Sequence, residues 1–135
     1  MSSTALDTNI LLAIWNAEPT APRLAAVLDR RQRQGRLVIC GAVYAELSGF
    51  YPNLDAVLQT YGVTPDPKMS LAAWKRAGQA QAAYAQRRKS SGGGAPRRIL
   101  TDFLVGAHAS LGGHHLLTLN TADYGDFPEV PLLTI

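Results

Sequence analysis

The run Leu37-Val38-Ile39-Cys40 constrains this chain more than any other four residues. Its side chains do not alternate between apolar and polar, so as a strand it must be covered on both faces. It stands between a helical stretch over about residues 22–34, halted by Gly35, and a return to helix over 42–50. The same alternation runs in both directions. Residues 3–6 read as a short strand, and Ile10, Leu11, Leu12, Ile14 and Trp15 then suit a helix. A helix near 53–60 leads to Gly62-Val63-Thr64, a short strand ended by Pro65 and Pro67. Residues 69–89 are alanine-rich and helix-favouring. The tract Ser90-Ser91-Gly92-Gly93-Gly94-Ala95-Pro96 interrupts them as a loop would. Helix resumes over about 98–111 and stops at Gly112-Gly113, and strands follow at 115–118 and 132–135. Strands separated by helices long enough for a crossover predict an α/β domain with a parallel sheet covered on both faces.

A chain of 135 residues makes one domain of this kind, residues 1–135. Apolar residues at 47% and charged residues at 17% exclude a disordered chain. The single cysteine, Cys40, cannot form an internal disulfide and fits a reducing compartment. No basic and apolar leader opens the sequence, and no apolar run approaches the roughly 18 residues of a membrane span. The expectation is a cytoplasmic protein with no membrane contact.

Ten acids face thirteen lysines and arginines, and four of the ten fall at predicted element ends. Asp7 closes the first strand, and Glu46 comes just over a turn into the helix that leaves the second. Asp102 lies in the first turn of its helix, and Asp123 follows the strand at 115–118. Open parallel sheets bind ligands beyond the carboxyl ends of their strands, so all four acids could meet at one edge. Each has a plainer reading. Asp7 and Asp102 could cap helices, and Asp123 could form a turn. Glu46 resists such a reading, because its helical neighbours Ala42, Val43, Gly49 and Phe50 are small or apolar. A carboxylate on a packed face needs a cation, a hydrogen-bond network or a proton. Asp102 shares a flank with Gly106 and Ala109, which leave room for something to approach.

Clustered carboxylates favour hard cations, hence Mg²⁺ or Mn²⁺ over zinc. The histidines give zinc no support at this level. His114 and His115 are adjacent and point to opposite sides of a strand, and His108 has no partner at ligand spacing. An acidic cluster on an otherwise basic chain, pI near 9.3, points to a metal-dependent site that receives a polyanion.

Leu6-Asp7-Thr8-Asn9-Ile10-Leu11, Ala45-Glu46-Leu47, Thr101-Asp102-Phe103-Leu104-Val105-Gly106-Ala107-His108-Ala109 and Leu116-Leu117-Thr118-Leu119-Asn120-Thr121-Ala122-Asp123-Tyr124 carry a resemblance. In that order, over essentially the whole chain, they resemble the PIN domain and, within it, the VapC-type toxins of bacterial toxin–antitoxin pairs. The resemblance implies a three-layer α/β/α sandwich around a short central parallel sheet. It implies Mg²⁺- or Mn²⁺-dependent endoribonuclease activity, a small cognate antitoxin as partner, and a homodimer. Carried over by motif, Asp7, Glu46 and Asp102 are the acidic triad that is both catalytic and metal-binding. Thr8, Asn9 and Thr101 are polar accessories. Many relatives place the fourth acid where this chain has Asn120, and others where it has Asp123. Asp123 is taken as the acidic member and Asn120 as an accessory.

RNA needs cationic contacts beside the acids, and Arg97 and Arg98, a turn or two from Asp102, are the candidates. The Gly92-Gly93-Gly94 run is no phosphate cradle, having neither a preceding strand nor a following Lys-Ser/Thr. An aspartyl phosphotransferase is disfavoured: Asn9 stands where such phosphatases need a second acid, and no lysine follows Lys89. A non-catalytic scaffold for RNA or protein on the same fold, or a DNA-directed nuclease with the same metal site, remains an alternative.

Overall fold

The computed structural model describes residues 2–92 and 99–135. Among them, strands β1 (Thr4–Leu6), β2 (Leu37–Cys40), β3 (Val63–Asp66), β4 (His115–Leu117) and β5 (Leu132–Leu133) form one sheet. Its order is β3-β2-β1-β4-β5, and every pairing is parallel. All residues of β1 and β2 are buried. Successive side chains point to opposite faces, so both faces of the sheet centre are covered by helices.

The helices are α1 (Thr8–Trp15), α2 (Ala21–Gln34), α3 (Gly41–Ser48), α4 (Leu54–Tyr61), α5 (Leu71–Ser90) and α6 (Leu100–Gly112). Ser70 caps α5 by accepting from the Ala73 N–H at 3.1 Å. That helix buries Ala73, Ala77, Ala80 and Tyr84 along one stripe, and the Tyr84 ring lies 5.5 Å from that of Phe103 on α6. The small alanines let α5 and α6 approach closely, which fixes the direction in which α6 presents its first turn. Cys40 closes β2 at the start of α3 with only 2% of its surface exposed, and burial pushes its thiol pKa up.

The structure departs from expectation at three places. The third strand continues through Pro65 to Asp66, because β3 is an edge strand and its Pro65, opposite Ile39, leaves no central ladder bond unmade. Helix α3 ends at Ser48, so Gly49 and Phe50 are exposed and the expected packed face around Glu46 is only half there. The room expected beside Gly106 is filled by the Phe127 ring, which a Cβ at that position would meet at 2.3 Å. Among the described residues, no helix is long and apolar enough to cross a membrane.

Candidate acidic site at the carboxyl edge of the sheet

Asp7 is where β1 gives way to α1, and four donors hold it. Its backbone is extended, and Oδ1 accepts from the Thr8 N–H at 2.8 Å, so it does cap the helix. Its other oxygen accepts from the Thr118 hydroxyl at 2.8 Å, the Tyr124 hydroxyl at 2.7 Å and, more weakly, the Asn9 amide at 3.4 Å. The carboxylate is buried at 7% exposure. Capping and a functional role are therefore not alternatives here, since a cap needs one of these donors and not all four.

The accessory residues form a frame around it. Asn9 accepts from the Leu119 N–H at 3.2 Å, which clamps the segment after β4 against α1. Thr118 accepts from the Asn120 N–H at 3.0 Å while donating to Asp7. Asn120 itself is exposed, and its contribution to this frame is its backbone. Thr8 donates its hydroxyl to Glu46 Oε1 at 2.6 Å, so one residue links α1 to the acid of α3. The Tyr124 phenol is pushed far above its ordinary range, by burial first and then by the neighbouring charge of Asp7. It therefore stays a hydrogen-bond donor at every working pH.

Asp102 sits in the first turn of α6 and accepts from the Ile99 N–H at 3.3 Å, with Thr101 half-buried beside it. Asp123 is half-buried in the 3-10 turn Thr121–Tyr124. The Asp102 carboxyl is pushed up to about 6, mainly by burial, with the Ile99 N–H opposing; the charges of Asp123, Asp7 and Glu46 raise it further. The four acids thus share one field. Arg97 and Arg98 lie outside the described residues.

The oxygens do not close on a single point. Among the described residues, the one trio of His, Cys, Asp or Glu with ligand atoms within 4.8 Å of one another is Asp66, His108 and His114. Ligands of one Mg²⁺ stand no more than about 4.2 Å apart, given bonds of about 2.1 Å. In this conformation at most two of the four carboxylates can therefore touch the same ion, and water would fill the remaining positions. That suits Mg²⁺, which keeps several waters, and the all-oxygen donor set suits Mg²⁺ and Mn²⁺ equally. The raised carboxyl of Asp102 also fits a cation, since a positive charge relieves the repulsion.

Sequence reading missed the histidine trio. His108 and His114 are six residues apart, but the turn at Gly112-Gly113 folds the chain back so that their rings stack at 5.0 Å. Asp66 then approaches from β3. The one available signal was Asp66 between two prolines, at the end of a predicted strand.

Asp102 gives the metal-free protein a pH dependence of known sign. Between about pH 4 and pH 6 the folded chain holds a proton that the unfolded chain has released, so stability falls as pH rises through 6. At neutral pH the cost is about 1–2 kcal/mol, after discounting for the solvent that reaches this half-exposed group. Urea unfolding in EDTA at pH 4.5 and 7.5 is expected to show this difference between the wild type and Asp102→Asn, which lacks the carboxyl.

No family model and no curated protein matches the sequence. Solved structures match its fold. A chain of VapBC2 from Rickettsia felis, bound to a DNA fragment from their promoter, superposes with a TM-score of 0.74 at 19% identity, covering 98% of each chain. VapBC-1 from nontypeable Haemophilus influenzae gives 0.69 at 22%, over 98% of this chain and 97% of that one. A toxin–antitoxin complex from Klebsiella pneumoniae gives 0.61 at 20%, over 94% of each. The chain has the PIN-like α/β fold of these toxin–antitoxin proteins, over nearly their whole length.

Proposed function

We propose that this chain is a VapC-type PIN-domain toxin, a metal-dependent endoribonuclease that hydrolyses RNA phosphodiester bonds. The observation that carries the reading is the shared field of Asp7, Glu46, Asp102 and Asp123 at the carboxyl edge of the sheet. Bound Mg²⁺ or Mn²⁺ would supply Lewis acidity and a water of lowered pKa. Asp7 and Asp102 are the residues to hold it. Asp7 is locked by Thr8, Thr118 and Tyr124, so it meets a ligand without reorganising. Glu46, oriented by Thr8, takes the proton of the attacking water. Asp123 completes the outer shell. Water rather than the 2′-hydroxyl attacks, so the products carry a 5′-phosphate and a 3′-hydroxyl. Arg97 and Arg98 contact substrate phosphates in this reading.

A small antitoxin and a second copy of the chain are the proposed protein partners. Phe50, Leu71, Trp74, Ile99 and Leu100 are more than half exposed, which supports apolar docking.

Incubation of the purified protein with cellular RNA and Mg²⁺ or Mn²⁺ tests the activity. Fragments with 5′-phosphate ends, absent in EDTA, are expected. Intact RNA together with no Mn²⁺ stabilisation in a melting assay would overturn the reading in favour of a scaffold. Tyr124→Phe removes one of the donors that fix Asp7. It is expected to slow cleavage about tenfold and to lower stability by about 1 kcal/mol, read from kcat and from urea midpoints.

A further inference from the structure

We propose that Asp66, His108 and His114 form a second cation site, suited to zinc or a similar transition-metal ion and separate from the acidic edge. It lies between the β3–α5 connection and the end of α6. His108 Nε2 stands 3.0 Å from Asp66 Oδ2, and His114 Nε2 stands 3.9 Å from the same oxygen. Ligands at zinc–nitrogen and zinc–oxygen distances of about 2.0–2.1 Å stand about 3.3 Å from one another in a tetrahedron. These two separations bracket that value, and the ligand atoms of all three residues lie within 4.8 Å of one another.

A hydrogen bond between His108 and Asp66 explains the first contact and leaves the second unexplained. His114 Nδ1 lies 2.5 Å from the Ser3 hydroxyl. If Nδ1 carries the proton and donates to Ser3, the Nε2 lone pair faces a carboxylate oxygen, an unfavourable pairing unless a cation stands between them. If Nε2 carries the proton instead, 3.9 Å is too far for a hydrogen bond to Asp66. Neither tautomer pairs His114 with Asp66 directly, and a cation pairs both. The Ser3 contact is also the kind of support that fixes a ligating imidazole in place.

Two further features fit. A Cβ on Gly112 would stand 2.4 Å from His114 Nε2, so a side chain at Gly112 would displace the ring from this position. A cavity of about 200 Å³, lined by Asp66, Lys68, Ser70, His108 and Gly112 among others, opens beside Asp66 and His108. It gives a fourth ligand, water or a small anion, a way in. His108 and His114 are buried at 4% and 8% exposure, whereas Asp66 is partly open, so the ion would enter from the Asp66 side. Two nitrogens and one carboxylate form a borderline donor set that favours zinc over magnesium, the reverse of the acidic edge.

The full chain, stripped with EDTA, would be titrated with Zn²⁺ while the imidazole nitrogens are followed by long-range ¹H–¹⁵N NMR. Shifts at Nε2 of His108 and His114, saturating at one equivalent with His115 unchanged, are expected in the wild type and in Asp7→Asn. Co²⁺ in place of Zn²⁺ should give visible absorption of a nitrogen-ligated, low-coordinate ion in both proteins. That absorption should be lost in Asp66→Asn and in Gly112→Ala. Unchanged imidazole signals under excess Zn²⁺ would overturn the proposal. So would Co²⁺ absorption that survives in Asp66→Asn and disappears in Asp7→Asn, since the ion would then belong to the acidic edge. Neither outcome depends on RNA cleavage, so the ribonuclease reading stands or falls separately.

Discussion

Asp7→Asn is expected to lower RNA cleavage by about a thousandfold or more and to weaken the fold as well. The catalytic part follows from charge. A neutral amide cannot replace the most buried carboxylate of the cluster as a cation ligand. The structural part follows from counting donors. Both oxygens of Asp7 accept, one from the Thr8 N–H and the other from Thr118, Tyr124 and Asn9. Asparagine offers one acceptor and one NH₂: turned one way its NH₂ faces the Thr8 N–H, and turned the other it faces the Asn9 amide and obliges the Thr118 and Tyr124 hydroxyls to accept instead of donate. Exchanging hydrogen bonds to a carboxylate for bonds to a neutral amide costs about 1–3 kcal/mol. The variant should therefore unfold at lower urea than wild type in EDTA at neutral pH. Circular dichroism at the assay temperature must confirm that it is folded before its loss of cleavage is assigned to chemistry.

Gly106→Ala is expected to destabilise the fold by about 2–3 kcal/mol. The new Cβ would lie 2.3–2.8 Å from three atoms of the Phe127 ring, and the ring cannot easily retreat. Phe127 is itself 1% exposed, and the Arg76 guanidinium covers it at 4.5 Å while pairing with Glu129 at 2.8 Å. Displacing the ring disturbs that pair too. A double variant with Phe127→Leu should recover part of the loss, which urea midpoints will measure. No recovery would show that the helix backbone, and not the ring, sets the limit.

Both predictions bear on what the sequence makes legible. The parallel sheet was legible because β2 is apolar at four successive positions, a pattern a one-sided strand cannot use. The place of Asp7 was legible because it directly follows a strand of a parallel sheet, at the edge where such sheets bind ligands. Partners that depend on distant segments were not. Phe127 comes from beyond β4 to fill the space beside Gly106, and no local pattern announces it. The frame around Asp7 has the same character, since Thr118 and Tyr124 join it from more than a hundred residues away. Glu46 was read as packed because a helix through Phe50 was assumed, and the helix ends at Ser48. The histidine pair stayed hidden because a turn, and not a helical spacing, brings its members together.

Cys40 turns the centre of this molecule into a clock. It is the sequence's single sulfhydryl, it is sealed between β2 and α3, and its thiolate is disfavoured by burial and by the charge of Asp7. A disulfide reagent can reach it only in the fraction of molecules that have opened there, so the labelling rate counts opening events one by one. No probe has to be introduced. Any ligand that settles at the carboxyl edge and tightens it will register as a slower clock, whether or not RNA is ever cut.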